Sequence, residues 1–168
     1  QLPHGYDHKY TYSHLGYNLK ITDMQAACGL AQLERLPDFI TRRRANFDHL
    51  SARLSALQDQ LALPRATPNS TPSWFGFPIT LSPKADIGRV EMLTWLDQQG
   101  VGTRLLFAGN LTRQPYFQNH RFRQVGDLAQ TDTVMANTFW VGLWPGLDAA
   151  ALDQICEAVA TQFGLHFD

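Results

Sequence analysis

Tyr17 and Asn18 stand directly before a helix start, a position suited to binding an anion. Thr22, with Gln25 three residues later, forms a capping-box pattern, which predicts that a helix begins there. The first turn of a helix carries free backbone N–H groups and the positive end of the macrodipole, and both attract phosphate. The Asn18 amide can donate to phosphate oxygens without adding charge. The alternative is that Asn18 only turns the chain, because Gly-Tyr-Asn is a good turn sequence.

A second candidate site lies in the long aperiodic segment 107–126 and the strand end before it. Arg104 can grip a phosphate or carboxylate with two parallel hydrogen bonds, and the alternative is a structural salt bridge to a helix carboxylate. Phe107 can stack on a flat ligand, and the alternative is core packing. Asn110 and Arg113 follow in the same segment. Loops of this length in a compact domain are usually functional or poorly ordered.

The remaining patterns predict no catalytic residue and no metal site within this chain. A phosphate-binding glycine loop, a nucleophile elbow and a convincing acid pair are all missing from the sequence. His4, His8 and His14 lie near one another, but no Cys or carboxylate joins them at zinc-site spacing. Cys28 and Cys156 lack a paired spacing, which argues against a disulfide scaffold or a metal site formed by this chain alone.

The bulk composition describes an ordinary globular domain. The chain has 168 residues and a net charge of -1, so nothing in it favours nucleic acid or an anionic membrane as a partner. Its apolar runs are far shorter than the roughly 20 residues of a membrane span. A cytoplasmic location is therefore expected.

The periodicity predicts an α+β fold in which a small, mostly antiparallel sheet packs against helices. Pro78 favours an edge position for the strand that contains it, and Pro37 marks either a kink or the first turn of a new helix. The predicted helices are 23–36, 38–57, 86–99, 127–136 and 148–163, and the predicted strands are 74–81, 101–106 and 139–144.

Two runs of residues carry a family resemblance that extends over nearly the whole chain. The first, Gly16–Ala27 followed by Leu30, Gln32–Leu33 and Arg42–Arg44, is similar to the signature of the sugar aminotransferase family. That family contains pyridoxal-phosphate enzymes that act on nucleotide-linked keto-sugars. The second run, Gly102–Phe117, resembles the CDP-4-keto-6-deoxyglucose 3-dehydratase branch of O-antigen dideoxysugar and lipopolysaccharide synthesis. Ordinary aminotransferases of the family usually carry a His-Tyr-Pro type run after the Thr-Arg.

The resemblance implies the small C-terminal domain of the fold-type I aminotransferase architecture. Residues 1–20 would be a loop leading from a missing upstream large domain, and residues 21–168 would be the small domain. The residue that anchors the cofactor, a Lys in aminotransferases and a His in 3-dehydratases, would lie upstream, as would the iron–sulfur cysteines. By itself the chain should therefore be catalytically incompetent.

The resemblance also assigns roles to the candidate residues. Asn18 would reach across a homodimer interface to the cofactor phosphate of the other subunit, and Phe107 would stack on the cofactor ring. Tyr17, Arg104, Asn110 and Arg113 would approach the nucleotide-sugar substrate.

Three functions follow as alternatives. The first is part of a pyridoxamine-phosphate-dependent 3-dehydratase with a 2Fe-2S cluster and an electron-donating reductase partner. The second is part of a pyridoxal-phosphate-dependent nucleotide-sugar aminotransferase, which the upstream Lys or His would distinguish from the first. The third is that the isolated chain is a non-catalytic dimerisation and substrate-capping domain.

Overall fold

The computed structural model describes residues 19–117 and 120–167. The chain divides into two compact units, one ending at Leu36 and the other beginning at Pro37. Tyr17 and Asn18 lie outside the described residues, as do the histidines of segment 1–18. The assignment of residues 1–20 to an interdomain loop and of 21–168 to a small domain stays a prediction.

Helix α1 (Asp23–Leu33) belongs to the first unit and begins with the predicted capping box. The Gln25 N–H donates to the Thr22 hydroxyl oxygen at 3.3 Å, and the Thr22 N–H donates to Gln25 Oε1 at 2.9 Å. Because these bonds satisfy two backbone donors reciprocally, the helix start is fixed by local sequence alone. The helix ends at Leu33 rather than at the predicted Leu36.

The second unit contains the other helices and the sheet. Helix α2 (Leu36–Leu54) has Pro37 in its first turn, where the missing N–H costs no hydrogen bond. The other elements are α3 (Arg89–Gln98), α4 (Ala129–Asn137) and α5 (Ala149–Thr161), with β1 (Leu61–Ala62), β2 (Gly76–Leu81), β3 (Thr103–Leu105) and β4 (Thr138–Gly142). Short 3-10 turns follow at Ser55–Leu57, Leu111–Arg113 and Pro115–Phe117.

The sheet among the described residues has the order β1-β2-β4-β3, and each neighbouring pair is antiparallel. Alternation along β2 buries Phe77, Ile79 and Leu81 in the core, as the period of two requires. Phe139 and Val141 of β4 are buried in the same cluster. Full burial of each such side chain contributes about 1.5–3 kcal/mol, so these two central strands carry much of the core.

The α+β fold with a small antiparallel sheet is confirmed, and the strand count is corrected. The sequence predicts three strands, whereas β1 adds a fourth that pairs Leu61 with Leu81 and Ala62 with Thr80. A two-residue strand has no periodicity of its own, and only this distant pairing creates it. The edge position predicted from Pro78 is wrong for β2 as a whole. Within residues 19–117 and 120–167, however, Pro78 is registered only with Trp140, because β1 reaches no further than Thr80.

Candidate functional site

Strand β3 is followed by a loop of residues 106–114, the Phe107 loop. Arg104 pairs with Trp140 of β4, and the Trp140 indole N–H donates to the Leu105 carbonyl at 3.0 Å. The Phe107 N–H donates to the same carbonyl at 2.7 Å, which closes a tight turn at the strand end. The loop therefore leaves the sheet in a fixed direction.

Phe107 is the last residue of this turn, and its backbone conformation is unusual. Its φ is 49°, in the left-handed region of the backbone that residues other than Gly rarely adopt. Its side chain is 78% exposed, so the ring gains little from burial. The core packing considered as an alternative is not what the structure places there. An exposed aromatic ring held in a strained backbone is a feature typical of functional sites.

Phe107 lines two cavities. One cavity, of about 180 Å³, is called the aromatic cleft; its walls are Trp74, Phe75, Gly76, Pro78, Leu106, Phe107 and Trp140. The other, of about 160 Å³, lies between the loop and the side chains of Arg89 and Met135. Phe107 therefore borders both a largely carbon-lined space and a space that Arg89 also lines.

Ring contacts give the aromatic cleft its shape. Phe75 and Trp140 have centroids 5.0 Å apart and planes tilted by 51°, a favourable arrangement for two aromatic rings. Gly76 lies directly beneath the Trp140 ring, where a Cβ atom would collide with it. Since the Trp140 N–H is already bonded to Leu105, the cleft presents flat carbon surfaces to a ligand.

Arg104 is exposed on β3, close to the start of the Phe107 loop. Within residues 19–117 and 120–167, no carboxylate forms an ion pair with it. The structural salt bridge considered as an alternative is thus not seen in this part of the chain. A guanidinium with no ion-pair partner among the described residues is a candidate for binding an anionic ligand.

Asn110 and Arg113 both contact Asp132 on α4. Asn110 is buried, and its amide donates to Asp132 Oδ1 at 2.7 Å. Arg113 Nη2 donates to Asp132 Oδ2 at 2.6 Å, while 63% of the Arg113 side chain stays exposed. Asp132 could not be found from the sequence, because no local pattern connects an acidic residue in one helix with a loop about twenty positions earlier. Substrate contact by Asn110 and Arg113 stays a prediction.

A second polar group, on α2 and α5, has a structural arrangement. Arg53 and His49 both donate to Asp153 Oδ1 at 2.8 Å, and together they hold the pKa of that carboxyl below its usual range. Because these bonds join two helices, the group ties α2 to α5. It was also missed from sequence, since its members lie about 100 positions apart.

The two cysteines differ sharply in environment. Cys28 is exposed, whereas Cys156 is buried in the core. Burial raises the pKa of the Cys156 thiol to about 12, which removes it as a nucleophile at neutral pH.

In the described part of the chain, no three His, Cys, Asp or Glu side chains are grouped as metal ligands would be. None of the helices described there has the length and apolar character that crossing a membrane requires.

Comparison with known proteins places this geometry in a family context. The sequence model of the DegT/DnrJ/EryC1/StrS aminotransferase family matches residues 2–160. The chain is 58% identical over 166 residues to the lipopolysaccharide biosynthesis protein RfbH of Salmonella typhimurium, covering 99% of this chain and 38% of RfbH. It is 49% identical over 159 residues to dTDP-4-dehydro-2,6-dideoxy-D-glucose 3-dehydratase of Saccharopolyspora spinosa, covering 95% of this chain and 34% of that enzyme. The chain thus spans little more than a third of the length of these relatives.

Solved structures match the fold. A GDP-4-keto-6-deoxymannose-3-dehydratase with bound GDP-perosamine has a TM-score of 0.82 at 21% identity, over 95% of this chain and 41% of that one. The Escherichia coli GDP-4-keto-6-deoxy-D-mannose-3-dehydratase with bound hydrated PLP has a TM-score of 0.80 at 22% identity, over 90% of this chain and 38% of that one. At these identities the likeness establishes the fold, which is that of the aminotransferase architecture predicted from sequence.

Proposed function

The chain belongs to the DegT/DnrJ/EryC1/StrS aminotransferase family, and from this premise we propose that it is the C-terminal part of a nucleotide-sugar 3-dehydratase. The parent enzyme would use pyridoxamine phosphate and act on CDP-4-keto-6-deoxyglucose in dideoxysugar and lipopolysaccharide synthesis. Curated relatives described as 3-dehydratases and as a lipopolysaccharide biosynthesis protein support this proposal.

The observation that carries the proposal is the exposed, strained Phe107 beside an Arg104 without an ion-pair partner in the described residues. A flat ring and a guanidinium at one strand end suit a ligand that joins a planar ring system to phosphate groups. Pyridoxamine phosphate and a nucleotide sugar both have such parts, so the residues fit the proposed cofactor and substrate. When bound, the cofactor supplies an electron sink for loss of the sugar C3 hydroxyl.

The proposed roles of this chain's residues are binding and orientation. Phe107 stacks on the cofactor ring and keeps water from its face, a contact worth about 0.5–1.5 kcal/mol beyond area burial. Arg104 and Tyr17 hold the substrate, with Asn110 and Arg113 nearby. Asn18 donates to the cofactor phosphate of a homodimer partner. The catalytic residue is proposed to lie outside this chain.

An iron–sulfur cluster and a reductase partner belong to the same proposal. A 2Fe-2S cluster needs four ligands, usually thiolates, and this chain has only two cysteines. Cys156 is buried with its pKa raised to about 12, so it is a poor source of thiolate. The cluster's ligands are therefore proposed to lie elsewhere in the parent enzyme.

A nucleotide-sugar aminotransferase is the competing function, favoured by the family's name and by aminotransferases among the structural neighbours. The two differ in product. The test is to incubate the full-length parent with CDP-4-keto-6-deoxyglucose, cofactor and a reductase, and separately with glutamate as amino donor. A 3-deoxy product supports the dehydratase, and a 4-amino sugar formed from glutamate refutes it. GDP- and dTDP-linked substrates in parallel test the nucleotide.

Two arginine variants test the site itself. Arg104→Ala in the full-length parent should raise KM for the nucleotide sugar about tenfold or more, because a charged hydrogen bond is lost. Arg65→Ala is the matched control, since Arg65 borders a different cavity, between α2 and β1. Equal KM values for the two variants would contradict substrate binding by Arg104.

A further inference from the structure

The Phe107 loop is attached to α4 by one carboxylate that holds it at two points. Asp132 Oδ1 accepts from the Asn110 amide at 2.7 Å, and Asp132 Oδ2 accepts from Arg113 Nη2 at 2.6 Å. Asn110 precedes the 3-10 turn Leu111–Arg113 as its N-cap, and Arg113 is the last residue of that turn. Both carboxylate oxygens are thus occupied by the same loop, and charge-assisted bonds of this kind are the strong ones.

The Asn110 side chain connects Asp132 to the loop backbone through hydrogen bonds. Its side chain is 3% exposed, and its Oδ1 accepts from the Thr112 N–H at 3.0 Å and the Thr112 hydroxyl at 2.7 Å. The amide therefore caps the turn with its oxygen and binds Asp132 with its nitrogen. Loss of Asp132 would leave a buried donor without its partner, which is costly.

The loop also lies against α4 one turn further along that helix. Gly109 has a φ of 61°, and a Cβ atom there would come within 2.6 Å of Met135 Cγ. Gln114 donates to the Ala108 carbonyl at 2.8 Å and so closes the loop on itself. Asp132 and Met135 therefore hold the segment that directly follows Phe107.

The observed backbone conformation of Phe107 is unfavourable by itself. A left-handed backbone costs about 1–2 kcal/mol for a residue with a side chain, and the exposed ring gains almost nothing in return. A strained residue persists only where its surroundings hold it. The contacts of Asn110 and Arg113 with Asp132 lie a few residues after Phe107 and can supply such support.

We propose that Asp132 is a positioning residue, whose double attachment of Asn110 and Arg113 holds Phe107 presented to the bound cofactor or substrate. The inference rests on the proposed function, in which Phe107 makes that contact. The simpler alternative is that Asp132 only stabilises the N-terminal part of α4 through the helix dipole. The two differ in what happens to the loop when the carboxylate is removed.

The experiment uses the full-length holoenzyme and two variants, Asp132→Ala and Asp132→Asn. Hydrogen exchange is followed at the loop amides of Phe107, Gly109, Arg113 and Gln114, which all donate to backbone carbonyls in the loop or strand end. Asp132→Ala should speed their exchange about tenfold or more and lower kcat more than it raises KM. The exchange rates and kcat of Asp132→Asn should lie between those of the unmutated enzyme and those of Asp132→Ala. The new amide oxygen still accepts from Asn110, but the amide nitrogen repels Arg113.

Asp38→Ala is the matched control. Asp38 also lies in the first turn of its helix, and its ion-pair partner at 2.9 Å is Arg42, which is outside the Phe107 loop. Its removal should leave both the loop exchange and kcat unchanged. If Asp132→Ala does not fold, Asp132→Asn with the same two measurements decides the question.

Each remaining outcome overturns a distinct statement. Unchanged loop exchange in the Asp132 variants refutes the attachment. Faster exchange with unchanged kcat, while Phe107→Ala lowers kcat, refutes positioning by Asp132 but leaves the proposed role of Phe107 standing. If Phe107→Ala itself leaves kcat and cofactor binding unchanged, the proposed contact is wrong and the positioning role falls with it.

Discussion

Replacing Gly109 by Ala should destabilise the chain through two separable effects. The first is the backbone: φ is 61°, and a left-handed conformation costs about 1–2 kcal/mol once a Cβ is present. The second is steric. The new Cβ would lie 2.6 Å from Met135 Cγ and 3.2 Å from Met135 Cα. Because Cα belongs to the α4 backbone, rotation of the Met135 side chain alone cannot relieve the contact.

The steric part should add about 1–3 kcal/mol, the usual cost of overpacking. Its separation from the backbone part depends on a matched glycine. Gly126 has a φ of 77°, and a Cβ there would meet no atom within 4 Å. Gly126→Ala should therefore show the backbone cost alone, and the difference between the two variants measures the collision with α4.

Urea unfolding of the chain, followed by circular dichroism, gives both free energies if the transitions are two-state. We expect Gly109→Ala to lose about 2–5 kcal/mol and Gly126→Ala clearly less. Equal losses would refute the close packing of the Phe107 loop on α4. A larger loss in Gly126→Ala than in Gly109→Ala would refute both the open space at Gly126 and the collision at Gly109.

The cysteines and the Asp153 group give two further predictions. At pH 8 a thiol reagent should modify the exposed Cys28 but not Cys156, which should react only after denaturation because its pKa is raised to about 12; modification of both in the folded protein would contradict this. The pKa of Asp153 is lowered by Arg53 and His49, so its stabilisation is present above the unfolded value of about 3.9 and is lost as pH falls through the folded value. As the pH is lowered below about 4, the urea midpoint of the unmutated chain should therefore fall more steeply than that of Asp153→Asn. Parallel plots of midpoint against pH would refute the pairing.

Local sequence was sufficient for several elements. The capping box at Thr22 is formed by residues three positions apart, and the alternation in β2 follows from the pleat of one strand. These features need no partner from elsewhere in the chain, so a sequence pattern can specify them. The family resemblance rested on the same kind of contiguous runs, and the match to residues 2–160 confirms it.

Distant contacts were beyond the reach of pattern. Strand β1 exists because Leu61 pairs with Leu81, and nothing in its own two residues predicts it. The exposure of Phe107 likewise had to be observed, since an aromatic residue after a strand is equally compatible with core packing. Sequence placed Phe107 in a candidate site, but only the fold showed that its ring faces outward.

Contiguous residue patterns were enough to identify the family, the α+β class and the loop that carries the candidate residues. Tertiary structure alone decided how that loop is held, because Asp132 lies 22 positions from Asn110 and 19 from Arg113. Hydrogen bonds over such separations exist only where the packing of α4 against the sheet brings the partners together. The sequence states which side chain stands at each position. The orientation and hydrogen-bond partners of that side chain depend on the tertiary structure.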